Sequence, residues 1–386
     1  MPAPLDCFAI CAPGLEPLVH DELTELSIAC EPVLGGVSWR GSSSTIALAN
    51  LWSRIATRVV VRIGSFRART FFELERHAKK IEWEKYVGAG SAIRFRVTCR
   101  KSKLYHSDAV AQRFQEAVAR RTGGDVVIAA AADDDAERET PAQLFIVRFE
   151  RDICTVSADT SGALLHRRGY RQAIAKAPLR ETLAAAMLRG AGWMGRSPLA
   201  DPLCGSGTIA IEAAMVARRI PPGLTRNFAF LGWPGAETDR WLELLAHARA
   251  QILKASPVAI SASDRDAGAI DAARANAERA GVAGDIELAV QSISAAGTLR
   301  GGHGVLITNP PYGERLGDTE GIRDLYAQMG NVARKHFPGW TFGMLSPDEA
   351  LDAQTKLRLE ERFKTTNGGI PVRFVAGSVP AVPARK

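Results

Sequence analysis

The sequence predicts an α/β protein in which two small α+β units precede a larger domain built on a mostly parallel, doubly wound sheet. Two observations predict this organisation. From about residue 161, short apolar runs alternate with glycine turns and helical patterns, which is the order expected of βαβ units. The first 160 residues instead mix helical periodicity with alternating apolar runs, interrupted by an acidic and polar loop at 133–140.

Composition excludes several classes of protein. The 386 residues are 24% charged and 46% hydrophobic, which is ordinary for a globular protein of two or three domains. The six cysteines form no CxxC pair, so we expect neither a zinc site nor a disulfide framework, and no metal. No stretch approaches the roughly 18 apolar residues of a membrane span, and the first residues, MPAPLDCFAI, lack the basic n-region and long apolar core typical of a signal peptide. We therefore predict a cytoplasmic protein without membrane contact.

Positive charge is concentrated in one region. Between Arg54 and Arg121 there are 17 Lys or Arg against 6 Asp or Glu, whereas the whole chain carries a net charge of +7. Such a block is the electrostatic signature of a protein that binds a phosphate backbone, although a solvated basic face is the simpler alternative. Charge alone favours nucleic acid as the partner of this N-terminal region.

Local patterns predict the elements of the first 160 residues. Apolar residues recur at helical spacing in 48–60 and again in 109–121. Alternating apolar runs on both sides of Arg151 and Asp152 predict a β-hairpin that ends near Gly162.

The C-terminal half reads as repeated strands and helices. PLADPLC, PVAISASD and GVLIT predict buried strands, and LRETLAAAML, TIAIEAAMVARR and DAGAIDAARANAERAG predict helices, the last ending near Gly281. Asn367-Gly368 lies between two alternating runs and predicts a hairpin that places antiparallel strands at the edge of the sheet.

The stretch DPLCGSGTIA combines a strand, a glycine turn and a helix start. Gly205, Gly207 and Ala210 satisfy GxGxxA, which lets a backbone turn tightly against a nucleotide-like ligand, although a purely structural turn is the alternative. A nicotinamide dinucleotide would require an acidic residue roughly 20 residues further on, and no acid occurs there before Glu237.

An acidic residue suited to contact a nucleoside ribose occurs later, at Asp264, where the second predicted strand ends. A carboxylate at a strand's carboxyl end can accept hydrogen bonds from both ribose hydroxyls of an adenosine. Its distance from the glycine turn is explained if residues 218–256 form an insertion. Asp266 is left to cap the following helix.

TNPPYG, residues 308–313, follows the apolar run Val305 to Ile307. Proline cannot donate to a sheet, so the strand must stop at Asn309 and the loop is stiff. The Asn309 side-chain oxygen and the Pro310 carbonyl can accept hydrogen bonds from the two N–H groups of a base amine. Pro310 and Pro311 fix the direction of that carbonyl. Tyr312 can stack on the base. A Pro-Pro loop terminator with a packed tyrosine is the alternative.

Other chemistries fit less well. Methylation of cytosine C5 needs a thiolate, and no cysteine lies near the NPPY loop. Cys204 lies in the glycine loop, where a packing role is expected. The segment RNFAFLGW interleaves Arg226 with three aromatic residues and could form a stacking lid over a flipped base or an ordinary hydrophobic cover.

With these residues in view, the chain resembles the class I S-adenosylmethionine-dependent RNA methyltransferases that carry a THUMP domain, and most closely the bacterial 23S ribosomal RNA guanine-N2 type. The resemblance rests on PGLEPLVHDEL, GGVSW, KSKLYHSDAV, LHRRGYR, APLRETLAAAML, DPLCGSGTIAIEAA and TNPPYGERLG, and covers nearly the whole chain. It implies a Rossmann-like methyltransferase domain at 161–386, preceded by a ferredoxin-like domain at 1–66 and an RNA-binding THUMP domain at 67–160.

The resemblance also implies the site. The cofactor would be S-adenosyl-L-methionine, with contacts from Asp201, Cys204, Gly205, Gly207, Thr208, Asp264 and Gln291. Base contacts would come from Asn309, Pro310, Pro311 and Tyr312. The basic region would capture RNA, with ribosomal RNA as the expected partner. Many relatives carry an acid near the adenine amine, where IELAVQSISA offers Gln291 and Ser292. Adenine-N6 methylation, tRNA as substrate, a nicotinamide-dependent oxidoreductase and a non-catalytic RNA-binding factor are the remaining alternatives.

Overall fold

A computed structural model describes residues 3–88, 90–124, 127–128, 142–171, 179–297, 302–312 and 319–381. The chain forms two compact units. Unit 1 comprises Met1–Cys11, His20–Leu165 and Thr225–Leu245, and unit 2 comprises Ala12–Val19, His166–Leu224 and Ala246–Lys386.

Unit 1 is built on one sheet that contains both predicted α+β regions. Its described strands are β1 (Leu5–Ile10), β2 (Glu31–Val33), β3 (Gly36–Gly41), β4 (Arg58–Arg67), β5 (Ala92–Arg100), β6 (Val127–Ile128), β7 (Gln143–Glu150) and β8 (Ile153–Asp159). They lie in the order β2-β3-β1-β4-β8-β7-β5-β6. With helices α1 (Glu16–Glu25) and α2 (Ser43–Trp52), the first four strands follow the βαββαβ order of a ferredoxin-like fold, which confirms that prediction. The THUMP assignment of 67–160 stays a prediction.

One helix prediction in unit 1 is wrong in its second half. Helix α2 ends at Trp52, and the segment that carries Val59 and Val60 is strand β4 rather than the continuation of a helix to residue 60. Strand β4 is bonded on one side to β1 and on the other to β8. Its β-branched residues are therefore buried between two strands, and this tertiary pairing overrides the helical spacing.

Helices α3 (Phe71–Ala78) and α4 (Ser107–Arg121) pack on the second half of this sheet. The buried Trp83 ring contacts Phe114 and Phe145 edge-on, with ring centroids 6.1 and 5.1 Å apart. Strands β7 and β8 form the predicted hairpin, and its turn residues Arg151 and Asp152 both have positive φ. The hairpin prediction is confirmed.

The segment 225–245, within the insertion expected at 218–256, belongs to unit 1. Phe228 and Phe230 pack against Trp241 with ring centroids 5.5 and 5.7 Å apart. Trp233 donates its ring N–H to Gln143 Oε1 at 2.7 Å. Since the two phenylalanines are buried, the structure favours the hydrophobic-cover interpretation of RNFAFLGW over a free stacking lid.

Unit 2 carries the predicted doubly wound sheet. Its described strands are β9 (Leu199–Asp201), β10 (Ile260–Asp264), β11 (Glu287–Val290), β12 (Val305–Thr308), β13 (Thr341–Ser346), β14 (Glu360–Asn367) and β15 (Ile370–Ser378). The strand order is β11-β10-β9-β12-β13-β15-β14, with the first five strands parallel. The helices are α5 (Glu181–Gly190), α6 (Thr208–Ala217), α8 (Ala267–Arg279), α9 (Thr319–His336) and α10 (Glu349–Gln354), while α7 (Thr238–Ala250) spans the boundary of the two units. The α/β fold class is confirmed.

The last two strands form the predicted antiparallel hairpin at the edge of the sheet. Asn367 pairs with Ile370, so the two turn residues are Gly368 and Gly369, which have φ of +59° and +84°. The turn is therefore one residue further along than Asn367-Gly368 suggests. Asn367 is the last residue of β14 and keeps its side chain available for another partner.

Candidate active site at the carboxyl ends of the parallel strands

The order of the strands in the unit 2 sheet indicates where a binding crevice can form. Strand β9 lies between β10 and β12, which continue the sheet in opposite directions, so the chain's crossovers diverge from β9. In open α/β sheets a crevice forms at such a switch point, beyond the carboxyl ends of the strands. Those ends carry Asp201, Asp264 and Thr308, and Asp201 is in register with Ala262 of β10.

The glycine turn after β9 needs its two glycines for different reasons. Gly205 and Gly207 have φ of +51° and +82°, values that favour glycine. A Cβ atom at Gly205 would meet no heavy atom within 4 Å, whereas one at Gly207 would lie 2.9 Å from Ala273 Cβ on α8. Gly205 thus leaves open space for a ligand, and Gly207 allows α6 to pack against α8.

Asp264 holds the glycine turn in place. Its Oδ2 accepts a hydrogen bond from Gly205 N at 3.0 Å, and its Oδ1 accepts one from Asp266 N at 3.0 Å. Gln291 N donates to the Asp264 carbonyl at 2.9 Å, so the ends of β10 and β11 lie side by side. Asp266 caps α8 by accepting from Gly268 N, as predicted.

Asp201 is buried and only partly satisfied. Its Oδ1 accepts from Leu203 N at 3.3 Å, and within the residues that the structure describes its Oδ2 has no hydrogen-bond partner. Burial raises the pKa of this carboxyl to about 7. The nearby Thr308 hydroxyl lowers the pKa in part, although no hydrogen bond of normal geometry joins it to Asp201 Oδ2.

The NPPY segment follows directly after β12. Asn309 is half-buried, and in the described part of the chain its buried Oδ1 has no hydrogen-bond partner. Pro310 is buried and Pro311 is exposed. A buried amide oxygen without a partner is costly, so a ligand that donates a hydrogen bond to it would be stabilised. Residues 313–318, the GERLGD part of the motif, lie outside the described residues.

The hydroxyl of Tyr312 is fixed by a residue that the sequence did not single out for the site. Asn367 Nδ2 donates to Tyr312 Oη at 2.6 Å, and Tyr312 is 8% exposed. The sequence predicts only a turn at Asn367, because its contact with Tyr312, 55 residues away, depends on how the β14–β15 hairpin folds. We infer that this hairpin sets the orientation of the Tyr312 ring.

Cys204 has a packing environment. Its backbone N–H donates to the carbonyl of Ser263 at 3.0 Å, and the side chain is buried. Burial raises the pKa of the Cys204 thiol far above its ordinary value, so the group stays neutral. This environment suits neither a nucleophile nor a thiolate ligand.

Helix α8 supports the glycine turn through residues that the sequence did not reveal. Asn276 Nδ2 donates to the carbonyl of Ser206 at 3.1 Å. Arg279 donates to Asn276 Oδ1, and its Nε donates to the carbonyl of Tyr170 at 2.6 Å. The spacing of Asn276 and Arg279 reveals that they share a helix face, but not that the turn lies against it.

A buried polar cluster anchors the start of unit 2 to α6. Tyr170 donates its hydroxyl to Glu212 Oε1 at 3.1 Å, and Arg168 Nε lies 3.5 Å from the same oxygen. On the adjoining turn, Arg171 Nη2 donates to Thr208 Oγ1 at 3.2 Å. The Thr208 hydroxyl is the acceptor of this bond, so its own O–H can still donate to a ligand.

A cavity of about 310 Å³ lies along β9, β10 and β11. Its lining includes Asp201 and Gln291 together with Ser261, Ser263 and Glu287. Two of the residues predicted to bind a cofactor therefore face the same space. Among the described residues, no group of three or more His, Cys, Asp and Glu is arranged to hold a metal ion. No helix in the described ranges is long and apolar enough to cross a membrane.

Comparison with protein families decides the class of this site. Residues 168–375 match the profile of the RMKL-like methyltransferase domain. The chain belongs to this family. Residues 6–60 also match a ferredoxin-like domain, described as that of the RlmL protein. Membership confirms the predicted methyltransferase domain and its S-adenosyl-L-methionine cofactor, and it leaves no support for the nicotinamide alternative.

Individual relatives cover most of the chain. A protein of Synechocystis sp., named provisionally as an RNA methyltransferase, is 36% identical over 94% of both chains. A ribosomal RNA large subunit methyltransferase K/L of Syntrophotalea carbinolica is 36% identical over 97% of this chain, which spans 54% of that relative's length. The solved structure of SMU.472, named provisionally as a methyltransferase and complexed with S-adenosylhomocysteine (SAH), is 30% identical, with a TM-score of 0.87, over 99% of this chain and 100% of that one.

Proposed function

We propose that this protein transfers a methyl group from S-adenosyl-L-methionine to the exocyclic amine of an RNA base, with guanine N2 of 23S ribosomal RNA as the favoured target. The observation that carries the proposal is the buried Asn309 Oδ1, which has no partner among the described residues and follows strand β12 at the switch point. An amide oxygen in that state is ready to accept an N–H from a substrate.

The residues around the glycine turn fit the cofactor. The open space beside Gly205 admits a ligand close to the backbone, and Asp264 stands at the end of the neighbouring strand, where it can accept from ribose hydroxyls. Asp201 offers a buried carboxylate oxygen to a positively charged or hydrogen-bonding group. Gln291 shares a cavity with Asp201, which supports a contact from Gln291 to the adenine. When bound, the cofactor supplies an electrophilic methyl group on a sulfonium.

The NPPY segment prepares the acceptor. The nitrogen of a base amine is a poor nucleophile because its lone pair is delocalised into the ring. Hydrogen bonds from its two N–H groups to Asn309 Oδ1 and the Pro310 carbonyl would favour a pyramidal nitrogen, whose lone pair can attack the methyl group. The ring rigidity of Pro310 and Pro311 would fix the direction of the Pro310 carbonyl, so that this acceptor needs little reorganisation during the reaction. Tyr312, held by Asn367, would stack on the base.

RNA as the substrate is supported by the names of the relatives and by the charge of unit 1. The Synechocystis and Syntrophotalea proteins are both named as RNA methyltransferases. The excess of 17 basic over 6 acidic residues between Arg54 and Arg121 belongs to unit 1. We infer that unit 1 captures RNA and that unit 2 performs the transfer.

Adenine N6 is the second candidate, since an Asn-Pro-Pro-Tyr segment can accept the N–H groups of either amine. The test is to incubate ribosomal RNA that lacks its modifications with the protein and labelled S-adenosylmethionine, and then to digest the RNA to nucleosides. We expect the label in N2-methylguanosine. Label in N6-methyladenosine would replace the favoured target by the second, label only in transfer RNA added as a competitor would change the RNA class, and no label in any RNA would reject the proposal.

A further inference from the structure

One edge of the unit 1 sheet collects several strand ends. Strands β4 and β7 both run antiparallel to β8, and β5 runs parallel to β7. Strands β4, β5 and β7 therefore end along the same edge, at Arg67, Arg100 and Glu150. The turn Arg151–Asp152 and the starts of helices α3 and α4 lie at this edge too, because short loops join them to these strands.

Asp152 ties the three loops of this edge together. Its Oδ2 accepts from Arg69 Nε at 2.8 Å, and its Oδ1 accepts from Lys103 N at 2.9 Å. Its own N–H donates to Ser102 Oγ at 3.0 Å, and its carbonyl accepts from Ala68 N at 3.0 Å. These bonds engage both carboxylate oxygens and fix the loops as one surface.

That surface is strongly positive. It carries six exposed basic side chains, which we name the basic edge: Arg67, Arg69, Arg100, Lys101, Lys103 and Arg151. Arg69 is paired with Asp152, and the other five form no ion pair with any carboxylate in the described part of the chain. Two of the nearby acids have partners outside the basic side chains of this surface or on the backbone. Glu73 accepts hydrogen bonds from the backbone N–H groups of Arg69 and Thr70, and Glu150 Oε2 lies 3.6 Å from Arg148 Nη2. Asp108, in the first turn of α4, is exposed.

Two large aromatic side chains border the basic edge and are exposed. Phe72, in the first turn of α3, is 76% exposed, and Tyr105, just before α4, is 67% exposed. The Tyr105 ring lies against His106, with ring centroids 4.1 Å apart. Aromatic rings left open beside a row of cations are the combination that single-stranded nucleic acids use, because bases stack on the rings while phosphates contact the cations.

We propose that the basic edge of unit 1 binds a single-stranded segment of RNA, with its phosphates along the six cations and unpaired bases stacked on Phe72 and Tyr105. The inference rests on the proposed function, since it names the surface by which that RNA is held. A duplex hides the faces of its bases, so it would leave both rings without a partner. An acidic protein would match the charge but would give the two separate rings no flat partner.

The electrostatic part is tested by the salt dependence of binding. The triple variant Arg67→Gln, Arg100→Gln, Lys103→Gln is compared with Arg40→Gln, Lys79→Gln, Lys80→Gln, which removes the same charge from exposed positions of unit 1 outside the basic edge. Binding to a fluorescent single-stranded RNA oligonucleotide is followed by anisotropy. The slope of log Kd against log salt should fall by roughly 2 for the first triple variant, about 0.7 for each lost phosphate contact, and stay unchanged for the second. Equal slopes for the two triple variants would overturn the proposal.

The stacking part is tested separately with Phe72→Ala, Tyr105→Ala. Binding of the single strand should weaken by tenfold or more, with an unchanged salt slope, whereas a blunt duplex of the same sequence should bind as it does to the wild type. Because both rings are exposed, the melting temperature should not change. Unweakened binding of the single strand, or an equal loss for the duplex, would show that the rings do not stack on bases.

Binding is measured without a methyl donor, and methyl transfer is assayed in parallel with the wild type. Wild-type transfer to RNA together with unaltered binding by every variant would reject the basic edge while the methyltransferase proposal stands. Altered binding by the variants without any transfer by the wild type would reject the proposed function and support the basic edge.

Discussion

Each unit has an aspartate at the end of a strand or in the turn that follows it. The two carboxyl groups differ in their hydrogen bonding and in the direction of their pKa shifts. In unit 1, hydrogen bonds from the Lys103 backbone and the Arg69 side chain lower the pKa of Asp152 and engage both of its oxygens. In unit 2, burial raises the pKa of Asp201 to about 7 and leaves its Oδ2 without a partner in the described part of the chain.

We propose that this difference distinguishes Asp152, which organises loops, from Asp201, which binds a ligand. Leaving a buried polar atom unpaired costs roughly 1–3 kcal/mol, so such atoms are rare unless something else pairs with them. Asp201 Oδ2 and Asn309 Oδ1 are both in this state near the switch point of the unit 2 sheet. Asp152 instead organises the loops that carry the basic edge.

The largest effect should come from Asn309→Ala, which removes an acceptor from the proposed reaction site of unit 2. We expect kcat for methyl transfer to fall roughly 100- to 1,000-fold, as for the loss of one preorganised hydrogen-bonding group. SAH binding, measured by calorimetry, should hardly change. The matched control is Asn331→Ala, an exposed asparagine on α9, which should keep full activity. A full rate with Asn309→Ala would remove the residue from the chemistry.

The second effect compares the two aspartates directly. Asp201→Asn should weaken SAH binding about tenfold or more, because a charge-assisted hydrogen bond contributes roughly 1.5–3 kcal/mol. Asp152→Asn should leave SAH affinity unchanged and lower the melting temperature at neutral pH, because it loosens three loops at once. If both variants bound SAH like the wild type, the contrast between the units would have no functional meaning.

The pH dependence of stability should have opposite signs for these groups. The folded-state pKa of Asp201, about 7, lies above the ordinary carboxyl value, so its stabilising contribution is complete below about pH 4 and is lost as pH rises through 7. Without cofactor, Asp201→Asn should therefore gain melting temperature relative to the wild type between pH 5 and pH 8. The pKa of Asp152 is lowered, so its contribution is present above about pH 4 and is lost as pH falls further. Parallel melting curves of wild type and Asp201→Asn across this range would contradict the first expectation.

A smaller effect distinguishes the two glycines beside Asp201. Gly207→Ala should destabilise unit 2 by about 1–3 kcal/mol, because the new Cβ would lie 2.9 Å from Ala273 Cβ at a positive φ. Gly205→Ala carries only the cost of its backbone conformation, about 1 kcal/mol, but should weaken SAH binding by filling the open space. Urea denaturation and calorimetry measure the two quantities, and a reversed pattern would place the ligand elsewhere.

The smallest effect concerns the support of Tyr312. Asn367→Ala and Tyr312→Phe should each lower kcat/KM about five- to tenfold, because a neutral hydrogen bond contributes roughly 1 kcal/mol. The double variant should be no worse than either single variant, since both remove the same bond. Losses that simply multiply would show that the two side chains act independently.

Much of unit 2 could be predicted because its signals are local. The glycine turn, the acids at the strand ends and the cap at Asp266 each follow from residue types close together in sequence. The hairpin turn was displaced by one residue, because Gly368 and Gly369 both tolerate positive φ. The features that could not be predicted depend on contacts between residues far apart in sequence. Strand β4 forms where a helix was expected, because it pairs with β8. The contact between Asn367 and Tyr312 exists only once the β14–β15 hairpin has folded.

Above all, we propose that Asp201 Oδ2 and Asn309 Oδ1, which are unpaired in the described part of the chain, face a bound methyl donor and a base amine. The most direct measurement is a crystal structure of this protein with SAH. We predict that the adenosine ribose contacts Asp264, that the ligand passes Gly205, and that its sulfur lies beside Asn309 Oδ1. SAH confined to the cavity along Ser261 and Glu287, with Asn309 Oδ1 turned away from the sulfur, would contradict the account.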